Sequence, residues 1–236
     1  MDTPKNCVIT GGTSGVGLAT AIQFAKRGDN VAICGRDQTR LENARAKIEA
    51  EAPGSKVLIF ETDLAHPNSG TAFVEYCAAE FPRLDILVNN ASLAPRAPLE
   101  EMPDTIIDDC ININIRSVYL ATRAAWKVMK SQQQGIVINI SSTAAVDPFP
   151  GFSLYGSTKA WIELFTTALA NEGREHNIRS YCIRPGAVET PMLRGLFADF
   201  PAEQCVSPED VARLIELTCD SGLSHSSGQT IKVSLQ

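Results

Sequence analysis

The sequence predicts an α/β fold: one doubly wound domain whose seven-stranded parallel sheet carries helices on both faces. Three observations point there. Apolar strand-like runs alternate with helix-like stretches along nearly all of the 236 residues, and seven strands separated by helices imply a parallel sheet covered on both sides. Aromatic residues make up only 6% while alanine and isoleucine are plentiful, which suits helix-on-sheet packing better than an all-β sandwich. No repeat, low-complexity tract or linker divides the chain. A chain of this length buries a substantial core without disulfides or metal, so residues 1–236 are read as a single domain.

The elements follow in order. Residues 5–10 form a buried-strand pattern and residues 11–17 a glycine-rich turn. Helical spacing runs over 16–28, with Val16, Ala19, Ile22 and Phe24 apolar and Gly28 as the stop. Residues 31–34 are the second strand, and 38–51, charged and alanine-rich, form a solvated helix closed by Pro53-Gly54. A third strand at 57–60 precedes a helix at 70–81, and a fourth at 84–88 precedes a loop over 89–98. The long segment 103–130 reads as one helix. Strand 136–140, helix 154–172 and strand 178–183 come next, then a loop over 185–191. Ser207-Pro208, an N-cap followed by a first-turn proline, opens a helix over 208–220, and the last strand is 229–233.

Composition removes several function classes. Acidic residues outnumber basic ones, 27 to 21, for a formal charge of −6, which is wrong for a general nucleic-acid binder. No apolar run approaches the roughly 18–20 residues of a membrane span. Residues 1–6 lack the basic and apolar regions of a secretory signal. Seven scattered cysteines, none in CxxC spacing, fit reduced thiols and a cytoplasmic location. Three distant histidines and no HExxH leave no metal site to expect.

Strand, glycine-rich turn and helix form the geometry that holds a dinucleotide pyrophosphate, because the turn lets backbone approach and the helix presents free N–H groups. Here the turn is Thr10-Gly11-Gly12-Thr13-Ser14-Gly15-Val16-Gly17, spaced TGxxxGxG rather than GxGxxG, without the Gly-Lys-Ser/Thr ending of a nucleoside triphosphate loop. The second strand ends in Gly35-Arg36, where an acidic residue would select NAD. A guanidinium suits a 2′-phosphate, so NADP(H) is favoured, with NAD(H) kept as the alternative because Asp37 follows. Tyr155 and Lys159, four apart on a helix, share one face, where an ammonium can lower a phenol pKa towards a useful range. Taken alone, that pair is no more than an ordinary surface pair.

Tyr155-Gly156-Ser157-Thr158-Lys159 matches YxxxK, Ser142 lies thirteen residues before the tyrosine, and Asn89-Asn90-Ala91 ends a strand. With Thr10 to Gly17, this set strongly resembles the short-chain dehydrogenase/reductase family in its standard-length branch, over nearly the whole chain. The resemblance implies a Rossmann-type fold and an oxidoreductase moving hydride between a nicotinamide cofactor and a ketone, aldehyde or secondary alcohol. It implies Tyr155 as general acid/base, Lys159 lowering its pKa and holding the nicotinamide ribose, and Ser142 bonding the substrate oxygen. Asn114 would support a water in the proton relay, its spacing to Ser117 and Tyr119 favouring it over Asn112. Gly11, Thr13, Ser14, Gly15, Val16 and Gly17 would bind the cofactor with Arg36. Asp63 and Leu64 would lie at the adenine, Asn90 and Ala91 at the adenosine ribose, and Pro185, Gly186, Val188 and Thr190 at the carboxamide. Without the family, Asp63 reads equally as a helix N-cap.

The family usually has glycine after Asn-Asn-Ala, where this chain has Ser92. It often ends Val-Asp-Gly-Gly, where this chain has Val233-Ser234-Leu235-Gln236. Residues 190–206 would form a short substrate lid. Leu193, Leu196, Phe197 and Phe200, with Pro148, Phe149 and Phe152, suggest an apolar pocket or simply a packed lid. The family commonly forms homo-tetramers or homo-dimers through helices 103–130 and 154–172, where Ala121, Ala124 and Ala125 would permit close contact or else pack on the protein's own sheet. The alternative function is a non-catalytic, nucleotide-binding redox sensor, and a third is a partner-binding protein without nucleotide.

Overall fold

In the computed structural model residues 4–235 are described, so the reading of residues 1–6 and of the C-terminal tetrapeptide falls partly outside them. Seven strands, β1 (Asn6–Ile9), β2 (Asn30–Gly35), β3 (Val57–Glu61), β4 (Ile86–Asn89), β5 (Gly135–Ile140), β6 (Ile178–Pro185) and β7 (Thr230–Val233), form one sheet in the order 3-2-1-4-5-6-7. Every pairing is parallel. The helices are α1 (Gly15–Lys26), α2 (Gln38–Glu51), α3 (Ser69–Glu80), α4 (Asp104–Ile111), α5 (Ser117–Gln132), α6 (Ser153–Gly173), α7 (Pro191–Leu196) and α8 (Pro208–Leu217).

Strand periodicity divides the core into two layers. Cys7 and Ile9 of β1, Val31 and Ile33 of β2, and Ile86 and Val88 of β4 face α1, α2 and α8, meeting Phe24, Leu41, Ile48, Val211 and Ile215. The intervening Val8, Ala32, Cys34 and Leu87 face α3 and α5, meeting Phe73, Cys77, Ala121, Ala125 and Met129. Both faces are thus apolar, as a fully covered parallel sheet requires. Ala121 and Ala125 are spent in this core, at 0% and 1% exposure, so these alanines serve the protein's own packing.

Local signals account for most boundaries. Helix α1 stops where Gly28, at φ +93°, donates to the Ala25 carbonyl at 2.9 Å and Asp29 to that of Phe24 at 3.1 Å, the paired bonds of a Schellman turn. Ser207 Oγ accepts from the Asp210 amide at 3.0 Å and opens α8.

Two expectations change. The segment 103–130 is not one continuous α-helix: a π-helical turn, Asn112–Arg116, separates α4 from α5, with the Ser117 amide bonded to the Asn112 carbonyl. The turn reaims Asn114, whose amide is held by the Leu93 backbone; such bulges commonly mark functional sites. The second change is α7 inside 190–206, where Thr190 Oγ1 accepts from the Leu193 amide at 3.3 Å and Pro191 occupies the first turn.

Candidate active site

Strands β1, β2 and β3 run to one side, and β4 returns to the other side of β1. The resulting switch point opens a crevice beyond the carboxyl ends of the strands. A cleft of about 1460 Å³ occupies it, long enough to take a dinucleotide and a small substrate end to end.

At one end lies the glycine-rich turn. Gly11, Thr13, Ser14, Gly15 and Val16 line the cleft. Gly11 sits at φ +68°, and a Cβ there would lie 2.9 Å from the Ala91 backbone. Ser14 precedes α1 without making a side-chain cap, and the first turn has no acidic residue, so the helix N-terminus presents uncompensated N–H groups to the cleft. Those features fit a pyrophosphate. Gly17 is different: it does not line the cleft, and a Cβ there would lie 2.3 Å from the Gly11 carbonyl oxygen, so its role is to let the turn close on α1.

Asn90 also works on the turn, its Nδ2 donating to the Thr10 and Gly11 carbonyls, each at 3.0 Å. Thr10, which sequence reasoning passed over, accepts the Asn90 and Ala91 amides at 3.0 and 3.1 Å through Oγ1 and so locks β1 to β4.

Arg36 reaches the same end of the cleft, and Arg40 of α2 joins it, with Nη2 3.4 Å from Ser14 Oγ. Among the described residues neither arginine has a carboxylate partner in a salt bridge. Asp37 is turned to capping α2, its carboxylate accepting from the Arg40 amide at 2.8 Å. Arg40 was missed because α2 reads as a solvated helix; only its packing beside the turn brings it to the site. Asp63 and Leu64 line the next stretch, with Asp63 accepting from the Ala65 amide at 2.9 Å in a local turn.

The middle of the cleft gathers Ser142 from the end of β5, and Tyr155 and Lys159 from α6. Lys159 is 2% exposed, its Nζ donating to the Ile140 carbonyl at 2.8 Å and lying 5.6 Å from the Tyr155 ring centre. Burial lowers its pKa to about 8. Burial also pushes the Tyr155 phenol up to about 12, while the Ser142 and Ser92 hydroxyls pull it down. The downward pull expected from Lys159 therefore comes here from the two serines, because the ammonium is over the ring and engaged by a backbone carbonyl. Asn114 is fully buried beneath the wall, donating to Leu93 O at 2.8 Å and Thr158 Oγ1 at 3.0 Å. Asn112, half-buried one helical step away, makes no such set.

Helix α6 is fixed to the sheet by a group the sequence did not reveal. Glu163 accepts from Arg184 at 2.7 and 2.5 Å and from Ser141 at 2.8 Å, tying α6 to the ends of β5 and β6. Pro185, Gly186, Val188 and Thr190 then continue the wall beyond β6. Beyond them, Phe149, Phe152, Phe197 and Phe200 close the far end, Phe152 packing on both Tyr155 and Phe197 at 5.8 and 6.0 Å.

Comparison with known proteins agrees with this arrangement. Residues 5–200 match the family model for short chain dehydrogenase. The chain is 33% identical over 190 residues to cyclopentanol dehydrogenase of Comamonas, covering 80% of this chain and 75% of that protein. It superposes on 3-ketoacyl-(acyl-carrier-protein) reductase from Brucella melitensis, solved with NADH, at TM-score 0.87 and 29% identity over 98% of this chain and 96% of that one. It also superposes on L-sorbose reductase from Gluconobacter frateurii, solved with NADPH and L-sorbose, at TM-score 0.90 and 29% identity over 98% and 95%. By fold, by site and by sequence, the chain belongs to the short-chain dehydrogenase/reductase family of oxidoreductases.

Proposed function

We propose that this protein transfers a hydride between NADP(H) and an apolar ketone or aldehyde, or the corresponding alcohol, with Tyr155 as general acid/base. The carrying observation is the placement of Tyr155 in one cleft between Ser142 and an aromatic wall, with two unpaired arginines at the opposite end. When bound, the dinucleotide supplies or takes up the hydride. Gly11, Thr13, Ser14, Gly15 and Val16 would hold its pyrophosphate, Arg36 and Arg40 its 2′-phosphate, and Asp63 and Leu64 its adenine. Asn90 and Ala91 would flank the adenosine ribose. Lys159 would hold the nicotinamide ribose, and Pro185, Gly186, Val188 and Thr190 the carboxamide. Ser142 holds the substrate oxygen, and Tyr155 gives or takes its proton.

Residues 190–206 act as the substrate lid. Their aromatic contacts favour a ring or short alkyl chain beside the carbonyl, and the cyclic alcohol in the name of the Comamonas relative is of that kind. A redox sensor that only binds nucleotide would need neither the buried lysine nor the serine at the tyrosine, so the enzyme reading is preferred.

A panel of apolar ketones and alcohols, followed by NADPH absorbance, tests the activity; no turnover of any ketone with either dinucleotide would refute it. Calorimetric titration tests the cofactor. NADP binds more tightly than NAD, and Arg36→Ala with Arg40→Ala removes the preference; equal affinities in the unaltered protein would overturn the assignment. The exposed Tyr119 and Leu164, 49% and 72% accessible on α5 and α6, support a homo-dimer or homo-tetramer, which sedimentation measures. Free thiols spread through the core support a cytoplasmic setting.

A further inference from the structure

Ser92 ends the run Asn89-Asn90-Ala91-Ser92 and lines the cleft with Tyr155 and Ser142. Its Oγ lies 3.2 Å from Asn114 Oδ1. The direction of that bond is fixed by the rest of the Asn114 amide. Leu93 N–H donates to Oδ1 at 2.8 Å, and Nδ2 donates to the Leu93 carbonyl at 2.8 Å. Flipping the amide would set donor against donor and acceptor against acceptor, so the atom facing Ser92 is an acceptor. The proton in the bond therefore belongs to Ser92, and the serine's lone pairs are left to receive a donor.

We propose that Ser92 is a two-way partner of the Tyr155 oxygen: it accepts from the tyrosine while Tyr155 holds its proton, and rotates to donate once that proton has gone to the substrate oxygen. This rests on Tyr155 being the acid/base. Only the Tyr155 proton is transferred; Ser92 keeps its own and turns about one bond. The turn leaves nothing orphaned, because Asn114 Oδ1 retains the Leu93 N–H. It also frees Ser142 to hold the substrate oxygen instead of being divided between that oxygen and the tyrosinate. A glycine at this position offers no such group.

The titratable neighbours of Tyr155 are Lys159 on its own helix and Cys110 on α4. Cys110, with its pKa raised to about 11 by burial, stays neutral over the working range, so the serines are the donors that distinguish tyrosinate from tyrosine.

The test is the pH dependence of alcohol oxidation by the holoenzyme, where Tyr155 must be deprotonated and the rate rises through its pKa. Ser92→Ala and Ser92→Gly move the inflection up by about one pH unit, a tenfold loss of tyrosinate below it. Ser92→Thr, which keeps the hydroxyl, stays at the unaltered inflection. Phenolate absorbance of the NADP⁺ complex, with the Tyr155→Phe protein subtracted, reports the same shift without turnover. An inflection left in place by both hydroxyl-free variants overturns the proposal, as does one displaced equally in Ser92→Thr. Retained turnover in Tyr155→Phe would instead sink the acid/base assignment itself, so the two failures are told apart.

Discussion

On the α6 side of the cleft, Lys159 and Asn114 are at most 2% exposed, and both are anchored to backbone. Across the opening, no residue of α7 is buried. That wall is fastened at its base by two backbone bonds, Val206 N–H to the Ala187 carbonyl at 2.9 Å and Glu189 N–H to the Val206 carbonyl at 3.0 Å. Further out it relies on the Arg194–Glu189 ion pair and on edge and stacked contacts among phenylalanines. The difference teaches where rigidity is spent. A proton-transferring group has to be held to a fraction of an ångström, and buried hydrogen bonds do that. A wall that admits substrate has to open, so it is drawn from locally weak structure.

The contrast breaks most sharply at Tyr155. Tyr155→Phe keeps the ring that packs on Phe152 and removes only the hydroxyl. Turnover falls by roughly 10²–10⁴-fold, the usual contribution of a positioned acid/base, while dinucleotide affinity measured by calorimetry stays put. A comparable loss of affinity would mean that Tyr155 holds cofactor more than it moves protons.

Burying an ammonium should cost stability, and the sign can be worked out. Lys159 has a folded pKa of about 8, below its ordinary 10.5, so between those values the unfolded chain binds more protons. Stability therefore rises with pH across that window, and below about pH 8 the full cost is present. Lys159→Met is more stable than the unaltered protein near pH 7, by up to about 3 kcal/mol less whatever the lost bond to Ile140 contributed. The gain fades as pH approaches the upper end. Denaturant melts at pH 7 and pH 10 check this; a difference independent of pH would show that the lysine is not carrying a desolvated charge.

The same contrast sorts what the sequence made legible. The Tyr155/Lys159 pair, Ser142 and the glycine-rich turn follow from short spacings on single elements, and Gly28 and Ser207 are local boundary signals. Thr190-Pro191 carries the same signal as Ser207-Pro208, yet six residues are too few for periodicity to register, so α7 stayed hidden. The π-turn leaves no trace in an apolar pattern, since one extra residue in a turn still reads as helix. Glu163 with Arg184, and Arg40 with Ser14, are partners 21 and 26 residues apart that only tertiary packing brings together.

On the outer wall, changes act on substrate and spare the fold. Phe197 touches Phe149, Phe152 and Phe200 and carries the Arg96 guanidinium 5.0 Å from its ring centre. Phe197→Ala raises KM for an apolar ketone about tenfold, the order expected from losing part of a buried aromatic contact. Its kcat changes little, because Tyr155 and Ser142 are fixed from the other side. A fall in kcat matching the rise in KM would show that the wall also sets the reacting geometry.

The smallest effect belongs to the ion pair at the base of α7. Arg194 donates to Glu189 Oε1 at 2.7 Å and to the Phe200 carbonyl at 2.6 Å, so one side chain spans the segment from its start to its end. Both members of the pair are open to water, and exposed pairs add little to global stability. Arg194→Ala should leave the melting temperature unchanged within error. Losing the Phe200 contact should loosen the segment, seen as faster amide exchange over 190–206 and a KM shift of about twofold. Exchange that stays protected there would place the holding force in the phenylalanines, and Phe197→Ala would then be the variant that releases it.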